Sequence, residues 1–169
     1  MRGEDPAPVR AVYADLDEPA RVKAWFADSL FRGPARFLAG EMPRVGKPAW
    51  FYEFSYVGET LRRTEPGAAH SDDVAFTFGD LGLRGRWRSE APPTDADRLM
   101  ASTVMGYWVN FAKHGNPNGP GLPNWPRYLR STDQLLELGP TISPHKPRRE
   151  AALRFLDRGY EAALSMPKK

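Results

Sequence analysis

The sequence predicts an α/β chain, and three observations carry that reading. The aromatic run at residues 49–57, bounded by Pro48 and Gly58, reads as a strand. Thr94 to His114 reads as a long capped amphipathic helix. Gln134 to Leu138 is short and apolar enough for a second, shorter strand among further helices.

Residues 1–17 are polar with two prolines and are expected to form a flexible N-terminal segment. Asp17-Glu18-Pro19 then opens a helix, with an acid ahead of a proline in the first turn. Val22, Trp25, Phe26 and Leu30 follow at helical spacing and predict one apolar face. Gly33-Pro34 is expected to break that helix and start a second short one through Ala39. In the aromatic strand Trp50, Tyr52, Phe54 and Tyr56 share one face. Phe51 and Val57 lie on the other with Glu53 and Ser55, so both faces are expected to be partly covered. A polar loop at 58–66 leads to His70.

Thr94 can cap the long helix, with Asp95 and Asp97 suiting the positive end of its dipole. Met100, Val104, Tyr107, Trp108 and Phe111 form its apolar stripe, expected to be core rather than a ligand box. Gly115 can end it in a left-handed turn. The loop from Asn116 to Trp125 is rich in Pro, Gly and Asn, and the run 115–126 is too short for a domain linker and too aromatic at its end. Residues 148–164 read as a terminal helix with Ala152, Phe155, Leu156 and Tyr160 on one side, followed by a tail at 165–169. There is no internal repeat.

At 169 residues the chain has the length of one domain and can bury a real core. An apolar content of 41% with 12% aromatics places it among globular rather than disordered chains. Cysteine is absent, which excludes disulfides and thiolate chemistry. The first residues, MRGEDPAPVR, lack the apolar core of a signal peptide, so a cytoplasmic location is the default expectation. No apolar run approaches membrane-spanning length, and no membrane partner is expected. A net charge of +3 is too mild to imply a nucleic-acid partner.

The segment Gly67-Ala68-Ala69-His70-Ser71-Asp72-Asp73-Val74-Ala75-Phe76-Thr77-Phe78-Gly79 sets a histidine between small residues and two acids, ahead of an apolar, Gly-ended run. With the aromatic strand before it, this block resembles the C-terminal third of type-B carboxylesterases, the group that includes para-nitrobenzyl esterases and cholinesterases. Two further blocks carry the same resemblance: Tyr107-Trp108-Val109-Asn110-Phe111-Ala112-Lys113-His114-Gly115-Asn116-Pro117-Asn118-Gly119, and Leu122-Pro123-Asn124-Trp125-Pro126-Arg127-Tyr128. Asp28-Ser29-Leu30-Phe31 with Pro34-Ala35-Arg36-Phe37-Leu38-Ala39 matches more weakly, and coverage runs from about residue 25 to 140. The resemblance implies the C-terminal portion of an α/β-hydrolase fold, an incomplete sheet with packing helices, over residues 18–164.

It also implies roles. His70 stands where the family has its catalytic base, the histidine of the triad. Asp73 resembles the family's buried supporting acid, not the triad acid. Two positions depart from the pattern: Ser71 stands where glycine is usual, and Asp73 where glutamate is usual. Ester hydrolysis by this route needs a serine on a sharp strand-to-helix turn, a histidine in reach of it, a carboxylate orienting the imidazole, and backbone N–H groups for the oxyanion. None of the serines, at 29, 55, 71, 89, 102, 131, 143 and 165, lies in Gly-x-Ser-x-Gly, and no Gly-Gly oxyanion loop is present. Chain order in this fold is serine, acid, histidine, and the 69 residues before His70 are too few for the first two. The expectation is therefore a chain that supplies the triad histidine without the nucleophile or triad acid. A split gene product, a truncation and a degenerate remnant all stay open, as does a non-catalytic interaction module.

The remaining candidates favour plainer readings. Asp72 and Asp73, taken as adjacent residues of an extended segment, are expected to point apart, one solvated and one supporting the loop. Ser71 beside His70 is not expected to serve as a nucleophile. His114, in the last turn of the long helix, suits the negative end of its dipole, and His145 is expected to be structural or solvated. Three dispersed histidines without cysteine or a His-Glu-x-x-His pair give no metal site, and no cofactor is expected. Arg84-Gly85-Arg86-Trp87-Arg88 interleaves cations with an aromatic, as single-strand binders do, but acids follow at once and a surface loop is the expectation. The expected partners are a carboxylic ester if the site is completed, an N-terminal esterase fragment, or a second copy of the chain. An unpaired strand edge would favour either association.

Overall fold

The computed structural model describes residues 7–82 and 91–166. In chain order the elements are α1 (Ala7–Val12), α2 (Glu18–Ala27), a π-helical turn (Asp28–Arg32), α3 (Gly33–Glu41), a 3-10 turn (Met42–Val45), β1 (Tyr52–Phe54), α4 (Asp72–Phe78), α5 (Asp95–His114), β2 (Leu135–Leu138), β3 (Ser143–His145) and α6 (Glu150–Ser165). They sort into two compact units. One holds residues 7–51, 127–134 and 146–166; the other holds 52–82, 91–126 and 135–145.

The first unit is helical. Asp17 caps α2 by accepting the Ala20 N–H at 2.9 Å, with Pro19 in the first turn, as the sequence predicts. Gly33-Pro34 does not break the chain. The π-helical turn carries the backbone straight from α2 into α3, and Pro34 sits in the first turn of α3, where its missing N–H costs nothing. A Cβ at Gly33 would lie 2.8 Å from the Asp28 carbonyl oxygen and 2.9 Å from Leu156 Cδ1, so only glycine allows this approach of α3 to α6. Where a flexible lead-in was expected, residues 7–12 form α1 and Tyr13 is fully buried against Ala24 and Ala152. Its ring meets Trp25 edge-on at 6.3 Å, and its hydroxyl donates to the buried Asp28 at 3.0 Å. Arg149 closes on the same carboxylate through Nε at 2.8 Å. Asp28 lies 15 residues from one of these partners and 121 from the other, so composition alone could not show that the segment is anchored.

A second buried charge cluster ties α3 to the 127–134 segment and α6. Arg36 makes a bidentate bond to Asp133, at 2.9 and 2.7 Å, and a further bond to Asp157. Tyr128 donates to Asp133 at 2.7 Å. Burial alone would raise the Asp133 carboxyl, but the Arg36 and Tyr128 hydrogen bonds outweigh it and hold Asp133 below the usual carboxylate range.

Of the apolar face expected on the helix from Asp17, only Trp25 packs inward. Val22, Phe26 and Leu30 are 60%, 57% and 56% exposed, while the inward side is made by Ala24 and Trp25. The helical spacing is as predicted, but the side that packs inward is set by where α1 and α6 lie. On α6, Ala152 and Leu156 are buried as predicted, with Phe155 and Tyr160 half-buried.

The second unit is α/β. Its sheet has the order β1-β2-β3, with β1 parallel to β2 and β3 antiparallel to β2. Tyr52 pairs with Leu136 and Phe54 with Leu138, and the chain between β1 and β2 runs through α4 and α5, as a parallel crossover requires. The strand expected over 49–57 is far shorter. Before it, the Ala49 carbonyl accepts the Tyr128 N–H at 2.8 Å and Phe51 packs edge-on to Tyr128. After it, the N–H groups of Ser55 and Tyr56 both go to the Leu138 carbonyl, at 3.0 and 3.1 Å, which ends the regular ladder. The short strand at 134–138 is present as β2, whereas β3 has no counterpart in the sequence reading.

The long helix matches its prediction at both ends. Thr94 accepts the Asp97 N–H while Asp97 accepts the Thr94 N–H, a reciprocal capping box, and Gly115 closes the helix at φ 65°. Met100, Val104 and Tyr107 are buried and Trp108 half-buried, whereas Phe111 in the final turns is exposed. Tyr52, Trp108 and Trp125 meet ring to ring at 5.2, 5.7 and 5.9 Å, and Phe76 packs on Phe54 and Tyr56 at 5.2 and 5.4 Å. Ring contact of this kind adds to plain burial. The Arg84–Arg88 motif lies outside the described residues.

Candidate active site

The site begins where the loop after β1 turns into α4. Ala69, His70 and Ser71 form the turn, and His70 is exposed at its crest. Two devices hold the turn. Asp72 is buried and accepts the Ala69 N–H at 2.7 Å, while its own N–H donates to the Ala69 carbonyl at 3.2 Å. Ser71 takes the left-handed conformation, φ 72° and ψ 4°, and its carbonyl accepts the Val74 N–H at 3.2 Å. The position where the resemblance expects glycine thus has the backbone geometry that glycine favours. The result is an accessible imidazole on a backbone fixed from both sides.

Asp72 and Asp73 are not on an extended segment. They open α4, Asp72 buried and Asp73 half-buried, where one of them was expected to be solvated. Asp72 serves the turn, and Asp73 accepts a 2.6 Å hydrogen bond from the Tyr52 hydroxyl on β1. Burial first, then the bond to Asp73, pushes the Tyr52 phenol above its ordinary range, so it stays a protonated donor. Carboxylates at the start of a helix also suit its dipole. Gly79 ends α4 at φ 67°.

The other histidines sit apart from this turn in sequence. His114 is exposed in the last turn of α5. His145 lies on β3, with Nε2 3.4 Å from Glu137 Oε2 on β2, and Ser55 donates to the same carboxylate at 2.6 Å. The Ser55 hydroxyl is therefore bonded to an acid. Among the described residues no cluster of three or more His, Cys, Asp or Glu side chains could hold a metal ion, and no helix is long and apolar enough to cross a membrane.

Sequence pattern alone singles out His70 and the two acids beside it but not Tyr52. Tyr52 shows there only as part of a strand face, because a contact across 21 residues leaves no local trace. Asp72 does leave one: an acid three residues after a small residue, flanking a position that needs a left-handed backbone.

A parallel strand pair bridged by helices, with an imidazole raised on a locked turn after the first strand, is in keeping with a part of an α/β hydrolase. The sequence model of the carboxylesterase family matches residues 16–156, and the chain belongs to that family. It is 35% identical to Carboxylesterase 5A of Canis lupus familiaris over 88% of its own length and 27% of that protein's. It is also 35% identical to the pyrethroid hydrolase Ces2a of Mus musculus, over 77% of this chain and 24% of the relative. With the medium-chain fatty acyl-CoA hydrolase precursor of Anas platyrhynchos it shares 36% identity over 76% of this chain and 22% of the relative. The chain thus spans about a quarter of the length of these relatives.

Proposed function

We propose that this chain forms the C-terminal portion of an α/β-hydrolase domain and supplies the triad histidine, His70, of a serine carboxylic-ester hydrolase. The nucleophile serine and triad acid come from the rest of the esterase body, on the same polypeptide or on another. The observation that carries the reading is the His70 turn: an exposed imidazole on a backbone that Asp72 holds at Ala69, left-handed at Ser71 and followed by an Asp73 anchored to Tyr52. In the completed site His70 accepts the serine proton as the hydroxyl attacks the ester carbonyl. It then returns a proton to the leaving alkoxide, and the sequence repeats with water as nucleophile. Asp72, Asp73 and Tyr52 contribute by keeping the imidazole in place.

A chimaera tests this. The chain is fused in place of the matching quarter of canine Carboxylesterase 5A, and p-nitrophenyl acetate hydrolysis is measured. The chimaera is expected to turn over, and His70→Ala to lower kcat by about 10⁴-fold or more, since the base is lost while binding remains. A folded chimaera whose activity survives His70→Ala would refute the assignment. The chain alone is expected to be no faster than its own His70→Ala variant, and to resist fluorophosphonate labelling.

A second reading, a non-catalytic interaction module, draws support from the exposed apolar ladder Val22, Phe26 and Leu30. A chimaera that folds, binds ester and does not turn over would favour it.

A further inference from the structure

We infer that the α4–α5 face beside His70 is the surface on which the nucleophile-bearing part of the esterase body docks; this rests on the reading of His70 given above. Val74 and Phe78 lie one turn apart on α4, 49% and 76% exposed. Met105 and Val109 lie one turn apart on α5, 37% and 45% exposed. The two helices pack on each other, and a Cβ at Gly79 would come within 2.7 Å of Met105 Sδ. Met105 therefore reaches the end of α4, and the four side chains make one apolar patch. Its near end, Val74, follows His70 by one helical turn of sequence.

Two facts select the occupant. The curated relatives are more than three times as long as this chain, so a large body is available to cover exposed apolar groups. Whatever brings a serine to His70 must also seat near the turn that carries His70, and α4 begins two residues after it. An apolar patch on the helix that follows the His70 turn, and on the helix packed against it, is what such a body would bury.

The chain has no cysteine, so a single introduced thiol reports its own surroundings. Phe78→Cys and Val109→Cys, with Ala96→Cys on another exposed side of α5 as reference, are labelled with maleimide and read by peptide mass spectrometry. Labelling is compared between the isolated chain and the chimaera. Both patch sites are expected to react at least tenfold more slowly in the chimaera, with little change at position 96. Equal rates in the two settings would overturn the inference. So would slow labelling of the isolated chain with sedimentation as a dimer, because the occupant would then be a second copy. Phe78→Glu combined with Val109→Glu in the isolated chain gives a second route: hydrophobic-dye fluorescence should fall by half or more, and an unchanged signal counts against the patch. The catalytic reading fails separately. A protected but inactive chimaera would sink the role of His70 and leave the docking face standing. An active chimaera in which the Phe78→Cys thiol still labels freely would do the reverse.

Discussion

Ser71 carries a backbone geometry that L-residues adopt at a cost of about 1–2 kcal/mol, and it does so next to His70. Ser71→Gly is expected to raise stability by about 0.5–1 kcal/mol, less than the full relief because glycine gives the unfolded chain more freedom. Ser71→Val should lower it by more than about 1 kcal/mol, because a branched side chain fits this conformation worst. Urea midpoints check both; a Ser71→Gly chain with a lower midpoint would mean that the serine side chain holds the turn. Tyr52 offers a companion test. Tyr52→Phe deletes one hydroxyl and leaves the half-buried Asp73 short of a donor, at an expected cost of about 1–2 kcal/mol. Asp73→Asn should cost less, since the amide oxygen still accepts. Of these residues the sequence displays His70 and the acids, because motif spacing is local. Tyr52 stays hidden, because its role exists only once β1 and α4 are brought together.

Elements divide by where their determinants lie. The long helix is readable to the residue because Thr94, Asp97 and Gly115 encode both ends locally. α1, α4 and β3 are not. α1 is six residues and α4 seven, too short for a helical period to declare itself, and β3 has Pro144 at its centre, which argues against a strand. The predicted strand at 49–57 overextends because aromatic content continues past the point where hydrogen bonding turns away to Tyr128 and Leu138. Arg36 shows the opposite case, a residue of α3 whose importance lies in distant partners. Removing it as Arg36→Ala leaves the buried Asp133 and Asp157 uncompensated, and the expected loss is about 3–5 kcal/mol. Arg36→Lys should recover part of this at most, since an ammonium cannot reproduce the two-pronged bond to Asp133. Thermal melts of the two variants decide; a neutral Arg36→Ala would show that the cluster is not a structural tie.

For the whole molecule, pH exposes how the buried phenols are used. Tyr13, Tyr52, Tyr56 and Tyr128 are all pushed up by burial first and then by carboxylate neighbours, and burial raises Tyr107 to about 12. A raised phenol contributes stability that is complete below the unfolded value, about 10, and is lost as pH climbs toward the folded value. Asp97 and Asp133 work at the other end. Burial opposes their ionisation, but hydrogen bonds prevail and depress them, so their contribution is present above about pH 4 and fades below it. Stability is therefore expected to be flat from about pH 5 to 9 and to fall steeply above about 10, with phenolate absorbance rising together with unfolding. Phenols that titrate near about 10 while the fold persists would contradict the buried pairs described above.

The three-stranded sheet is bordered on one side by β3. On β3, Pro144 has no N–H to offer a newcomer, and the strand is only three residues long. That border is therefore a poor host for extended chain: a strand seated there would meet a gap in the ladder at its centre, so the sheet is closed to lateral growth on its β3 side.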